Sequence, residues 1–125
     1  MPLSKLKQVQ EESDMHKRTL AFMEDENIRL KNRVSEVLKN SFNESLLNEI
    51  ELFQGRFVRE DELIRILRSY LLEVDQLLLL EVFEDGRVIK EAQKKLKKIS
   101  IKMDSSHRRF SKLKADFNSF MSENS

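Results

Sequence analysis

LIRILRSYLLEVDQLLLLEVF, residues 63–83, decides how this chain is read. Within it Ile64, Leu67, Leu71, Val74 and Leu78 recur at steps of three and four, the spacing that lines one side of an α-helix. The same rhythm runs back through Leu46, Ile50, Phe53, Phe57 and Glu60, and forward to Glu81. The stretch is also interrupted by Arg65, Arg68, Glu73, Asp75 and Glu81. A bilayer span needs about 20 mostly apolar residues, so the reading is an interior helix and no membrane span.

Two flanking segments carry the same pattern. Before it come Leu6, Val9, Ser13, His16, Leu20, Met23, Asn27, Leu30, Val34 and Val37; after it come Ile89, Ala92, Leu96, Ile99, Met103, Ser106, Phe110, Leu113, Phe117 and Phe120. The breaks between segments are short. Ser41 can cap a helix start, with Glu44 reaching back to complete a capping box. At Glu84-Asp85-Gly86 the glycine can take the left-handed conformation that ends a helix. The 125 residues include only 2 Gly and 1 Pro, the proline at position 2, and 36% are charged. Such a composition favours long helices.

The expected fold class is therefore all-α: an elongated antiparallel up-down-up bundle of three long helices with coiled-coil-like packing, in one domain spanning residues 1–125. The helices are expected at about 4–39, 42–84 and 87–121, each roughly 50–65 Å long at 1.5 Å rise per residue. Very short connections force consecutive helices to run antiparallel. Gly55 weakens the second helix by about 1 kcal/mol relative to alanine. Phe57 and Ile64 keep the repeat in phase across Gly55–Asp61, so a continuous helix is expected there.

Composition narrows the chemistry. The chain has no cysteine, which removes disulfides, thiol catalysis and cysteine-held metals and suits a reducing, cytoplasmic setting. MPLSKLKQVQ lacks the apolar core of a secretory signal. Gly55 and Gly86 are isolated, so there is no glycine-rich phosphate loop. Glu12 with His16, and Asp104 with His107, have helical spacings that put each pair on one face. Aligning the first and third helices from their starts sets His16 level with residue 100 and His107 level with residue 23. The histidines then stand about 10 Å apart along the axis, and the inward Glu-x-x-His pairs of a di-iron bundle are missing. No metal, cofactor or catalytic residue is expected.

The polar seam positions read instead as devices that fix register. Folding the second helix antiparallel onto the first about the Asn40–Phe42 turn, together with that alignment, brings Glu60, Ser106 and His107 to one level, with Asn27 about a turn and a half away. A buried carboxylate costs several kcal/mol unless partnered, and one polar layer can set helix register and oligomer state at some cost in stability.

The apolar side chains left over from the seam point to a partner. Leu63, Ile66, Tyr70, Leu72, Leu77, Leu79, Leu80, Val82 and Phe83 cover more of the second helix than two neighbours bury. The protein interface is assigned to Leu63, Ile66, Tyr70, Leu72, Leu77, Leu79, Leu80 and Phe83. Phe22, Ile28 and Leu38 of the first helix are available to cover part of this excess. Each exposed leucine forgoes about 1.5–3 kcal/mol of burial, and the economical occupant is a second copy in a homodimer. Another helical protein is the alternative partner.

Charge is sorted along the chain. Residues 41–86 hold 4 basic and 11 acidic side chains, whereas residues 87–125 hold 11 and 4. An acidic second helix beside a basic third helix selects that pairing. A rival reading uses Lys94, Lys95, Lys97, Lys98 and Lys102 to bind nucleic acid or another acidic surface. It is less favoured, because the phenylalanines of the third helix sit on the seam and leave no stacking platform. The sequence thus leads to a non-enzymatic, self-associating helical bundle serving as an interaction or scaffold module.

Overall fold

The computed structural model describes residues 2–80 and 86–124. They form three helices, α1 (Pro2–Asn40), α2 (Glu44–Leu79) and α3 (Arg87–Glu123), and no strand. Each helix packs against both others. α2 runs unbroken through Gly55.

The boundaries come from local chemistry. α2 is capped by Asn43, whose side-chain oxygen accepts the backbone N–H of Leu46 at 3.1 Å. This replaces the expected Ser41/Glu44 box. The Ser41 hydroxyl instead accepts the N–H of Asn43 at 3.3 Å, closing the connection and leaving asparagine, an equally good cap, at the helix start. At its far end α2 stops at Leu79, short of the expected residue 84. There the N–H of Leu80 turns back to the carbonyl of Leu77 at 2.9 Å, a tightened last turn. Glu81, Val82, Phe83 and the Glu84-Asp85 turn lie outside the described residues. Gly86 precedes α3 with φ of 77°, the left-handed region expected of it, now as the residue leading into a helix.

The interior is the seam. Among the described residues, all twenty buried apolar side chains and all five buried polar ones (Ser13, His16, Asn27, Glu60 and Ser106) occupy positions of the three-and-four pattern. The remaining seam residues Leu6, Val37, Leu46, Leu78 and Phe120 are partly buried against that core. Near the α1–α2 connection the core is aromatic. Phe117 meets Phe53 and Phe57 edge to face, each with ring centres 5.3 Å apart, and Phe120 adds a tilted contact with Phe53 at 5.4 Å. Such edge-on pairs add about 0.5–1.5 kcal/mol beyond area burial.

Polar contacts between helices fix which residues meet. α1 meets α2 at Ser13–Asp75 and Asn27–Asp61; α1 meets α3 at His16–Ser100 and Arg33–Asn118; α2 meets α3 at Arg56–Asp116 and Glu60–Arg109. No described helix is long and apolar enough to cross a membrane.

The two glycines give opposite predictions. A Cβ on Gly55 meets nothing within 4 Å. Gly55→Ala is therefore expected to raise unfolding free energy by about 0.5–1 kcal/mol, through helix propensity alone. Gly86→Ala, equally free of clashes but at positive φ, is expected to lower it by about 1–2 kcal/mol. Urea unfolding of both variants checks the pair.

Candidate functional site: the polar interior and the outward face of α2

Each seam interruption has a partner on the rim of the core. Ser13 donates to Asp75 at 3.1 Å, and Lys17, one turn on, donates to the other oxygen of the same carboxylate. Asn27 repeats the arrangement. Its amide donates to Asp61 at 2.7 Å and to the carbonyl of Phe57 at 2.9 Å, while Lys31 takes the second oxygen of Asp61. The Asn27 Oδ1 is buried and accepts no hydrogen bond. Between these two units Glu24 pairs with Arg68. Lys17–Asp75, Glu24–Arg68 and Lys31–Asp61 thus form a ladder with a rung every seven residues, and the polarity reverses at each rung.

Glu60 is the most deeply placed charge. Its side chain is 4% exposed, and Arg109 reaches in from α3 to donate Nε to Oε1 at 2.8 Å and Nη2 to Oε2 at 3.4 Å. The same Nη2 lies 3.3 Å from the Ser106 hydroxyl. Glu60 and Ser106 therefore come together as the alignment required. His107 does not join them. It is exposed and lines a surface depression with Asp104 and Arg108, because its place next to Ser106 carries it off the seam. Arg109, three residues beyond Ser106, supplies the missing cation. Sequence reasoning passed over it, along with Asp61 and Asp75, because only seam residues were aligned. These three occupy positions flanking the seam.

His16 meets Ser100, the level assigned to it, with Nε2 3.0 Å from the hydroxyl oxygen. That hydroxyl donates its one hydrogen to Glu12 at 2.9 Å. The imidazole must then carry its hydrogen on Nε2 and donate it to Ser100. A serine with its hydrogen on a carboxylate, facing an N–H rather than a ring lone pair, is not set up as a nucleophile. Among the described residues no three His, Asp or Glu side chains gather in a way that would hold a metal ion.

The assigned interface residues divide into two sets. Leu63, Ile66 and Tyr70 are half-buried along a groove of about 250 Å³ that they share with Lys102, Ser105 and Arg109 of α3. Leu77 is half-buried against the core. Leu63, Tyr70 and Leu77 stand seven apart on the flank that α3 covers, which the sequence reading left for a partner. Leu72, Leu79 and Leu80 face outward, 56%, 75% and 61% exposed. Leu52 and Val58 extend this exposed apolar surface along α2. Phe83 lies outside the described residues. Phe22 and Ile28 of α1 are themselves exposed, so they leave these leucines uncovered, whereas Leu38 packs against the core.

The lysines of α3 divide in the same way. Lys95 reaches Glu73 at 4.0 Å and Lys102 stands 5.9 Å from the ring centre of Tyr70, both turned toward α2. Lys94, Lys97 and Lys98 are exposed and have no acidic partner among the described residues. Compared with known proteins, the chain matches no family model, no curated protein and no solved structure.

Two predictions follow from this electrostatic arrangement. Arg109 is 44% exposed along its side chain while Glu60 is buried, so the two halves of the pair are unequal. Arg109→Met leaves a buried carboxylate unpaired and is expected to cost about 3–5 kcal/mol. Glu60→Leu frees an arginine that can turn to water, and is expected to be neutral or stabilising; denaturant unfolding of both variants checks the asymmetry. The second prediction concerns pH. The hydrogen bond to Asp75, with the charge of that carboxylate, holds Lys17 above its ordinary value of 10.5. A raised pKa in the folded state contributes stability that is fully present below the unfolded value and lost as pH rises through the folded one. The melting temperatures of wild type and Lys17→Met should therefore differ at pH 7 and converge above the lysine range.

Proposed function

We propose that this chain is a non-enzymatic helical bundle of up-down-up topology that associates with itself and serves as an interaction or scaffold module. The topology is supported by the order of contacts. Partners on α2 fall in number as those on α1 rise, whereas partners on α3 rise with them. Seam steps of three and four, with ion pairs on the flanks, support coiled-coil-like packing. The non-enzymatic reading is supported by the interior, where Glu60 is neutralised by Arg109 and His16 is spent on Ser100.

One observation carries the self-association. Leu72, Leu79 and Leu80 stand exposed on the outward side of α2, joined there by Val58. Burying such side chains recovers about 1.5–3 kcal/mol each, and a second copy is the partner always present at matching concentration. The competing reading, an acidic polymer on the α3 lysines, loses Lys95 and Lys102 to contacts with α2. It keeps only Lys94, Lys97 and Lys98. A cytoplasmic setting fits a chain without cysteine.

Light scattering is expected to give wild-type protein twice the chain mass. Leu72→Glu with Leu79→Glu is expected to return it to one chain mass with helical content unchanged. A wild-type protein of single-chain mass at every accessible concentration would refute self-association.

A further inference from the structure

The two flanks of α2 differ in charge. On the α1 side Lys17, Glu24 and Lys31 are matched one for one by Asp75, Arg68 and Asp61. Leu72 and Leu79 border that side, one turn beyond Arg68 and Asp75 respectively. The α3 side is a separate surface. There Leu63, Ile66 and Tyr70 floor the groove of about 250 Å³, and Lys102, Ser105 and Arg109 form its opposite bank.

Seven residues return a helix to nearly the same side, so this lining can be followed in both directions. Ile66 and Ser105 line the groove from its two helices. One heptad toward the α1–α2 connection their counterparts are Arg59 and Lys112; one heptad the other way they are Glu73 and Lys98. The pairs Arg56–Asp116 and Glu73–Lys95 fix that correspondence. Cations dominate these banks. Arg59 and Lys98 have no acidic partner among the described residues, and Lys102 lies 5.9 Å from the Tyr70 ring centre without one. The carboxylates that α2 offers here are already engaged, Glu60 by Arg109 and Glu73 by Lys95.

Shape and charge together select the occupant. A small-molecule site encloses most of its ligand, whereas this groove is open to solvent between two long helices. A nucleic-acid strand would stack its bases on a free aromatic face, and Lys102 stands over that of Tyr70. A fourth helix fits. Apolar side chains on its inner face would rest on Leu63, Ile66 and Tyr70, and carboxylates on its flanks would meet Arg59 and Lys112 at one end and Lys98 and Lys102 at the other. We infer that the groove between α2 and α3 docks an acidic amphipathic helix of another protein. This deepens the interaction-module reading above and is independent of self-association, which uses Leu72 and Leu79 on the other flank.

The probe is a synthetic helical peptide of about three heptads, with leucine on one face and glutamate on both flanks, beside a counterpart carrying lysine for glutamate. Fluorescence anisotropy is expected to show wild type binding the glutamate peptide at least tenfold more tightly than the lysine peptide. Arg59→Glu with Lys112→Glu, both at exposed positions, is expected to weaken the glutamate peptide at least tenfold and to strengthen the lysine peptide. Ser105→Trp fills the groove without changing charge and is expected to weaken the glutamate peptide, with helical content unchanged. Leu72→Glu with Leu79→Glu is expected to leave peptide binding nearly as it was. Absent or equal binding of the two peptides, no response to Ser105→Trp, or a loss caused by the leucine pair instead overturns this site and leaves self-association standing. Duplex DNA that binds more tightly than the glutamate peptide, and is released by Arg59→Glu with Lys112→Glu, overturns it in favour of nucleic acid. A wild type of single-chain mass that still selects the glutamate peptide refutes self-association and supports this site.

Discussion

The ladder of ion pairs between α1 and α2 is the constraint on which the rest of the structure depends. Three long apolar seams could slide past one another by a heptad and still bury leucine on leucine. The rungs Lys17–Asp75, Glu24–Arg68 and Lys31–Asp61 prevent it because their polarity alternates. A slip of seven residues in one direction sets Lys17 against Arg68 and Glu24 against Asp61. The opposite slip sets Glu24 against Asp75 and Lys31 against Arg68. These half-exposed pairs each contribute on the order of 1 kcal/mol or less in the correct register. Their value lies in what the wrong registers lose, which is discrimination by repulsion.

Buried polar groups reinforce that choice from inside the core. Ser13 and Asn27 donate to the same carboxylates that anchor the outer rungs, so each slip also strands a buried donor. An unsatisfied buried group costs about 1–3 kcal/mol. The Glu60–Arg109 pair does the same for α2 and α3. The opposite charge balances of those two segments are thus partly used across their shared flank, at Glu60–Arg109 and Glu73–Lys95, although Arg56–Asp116 runs the other way.

The seam was legible because burial in a helix recurs at three and four residues, and nothing but Gly55 disturbs the helix interiors. Every buried residue from Val9 to Phe117 could be placed from that spacing. The level of His16 with Ser100, and of Glu60 with Ser106, was legible because rise per residue is fixed. The flanks were not. Whether Leu63, Tyr70 and Leu77 face solvent or α3 depends on how the helices rotate against each other, and single-helix periodicity carries no information on that angle. Arg109 was missed for a related reason: a long flexible side chain reaches the interior from a position the repeat marks as outside. His107, directly beside the seam residue Ser106, is exposed instead.

The three-residue connection at Ser41–Asn43 has a consequence for the order in which the chain acquires its shape. Asn27–Asp61 closes a loop of 34 residues and Ser13–Asp75 one of 62, while the α1–α3 contacts His16–Ser100 and Arg33–Asn118 each close more than 80. Loop closure costs only about 0.6 kcal/mol more for each doubling in length, but the nearer contacts hold an advantage at every step. α1 and α2 are positioned to zip from the connection outward, each rung shortening the search for the next. Between α2 and α3, Glu73–Lys95 closes 22 residues and Glu60–Arg109 closes 49, so the same advantage draws α3 onto α2. In kinetic terms α2 is the element on which both other helices close.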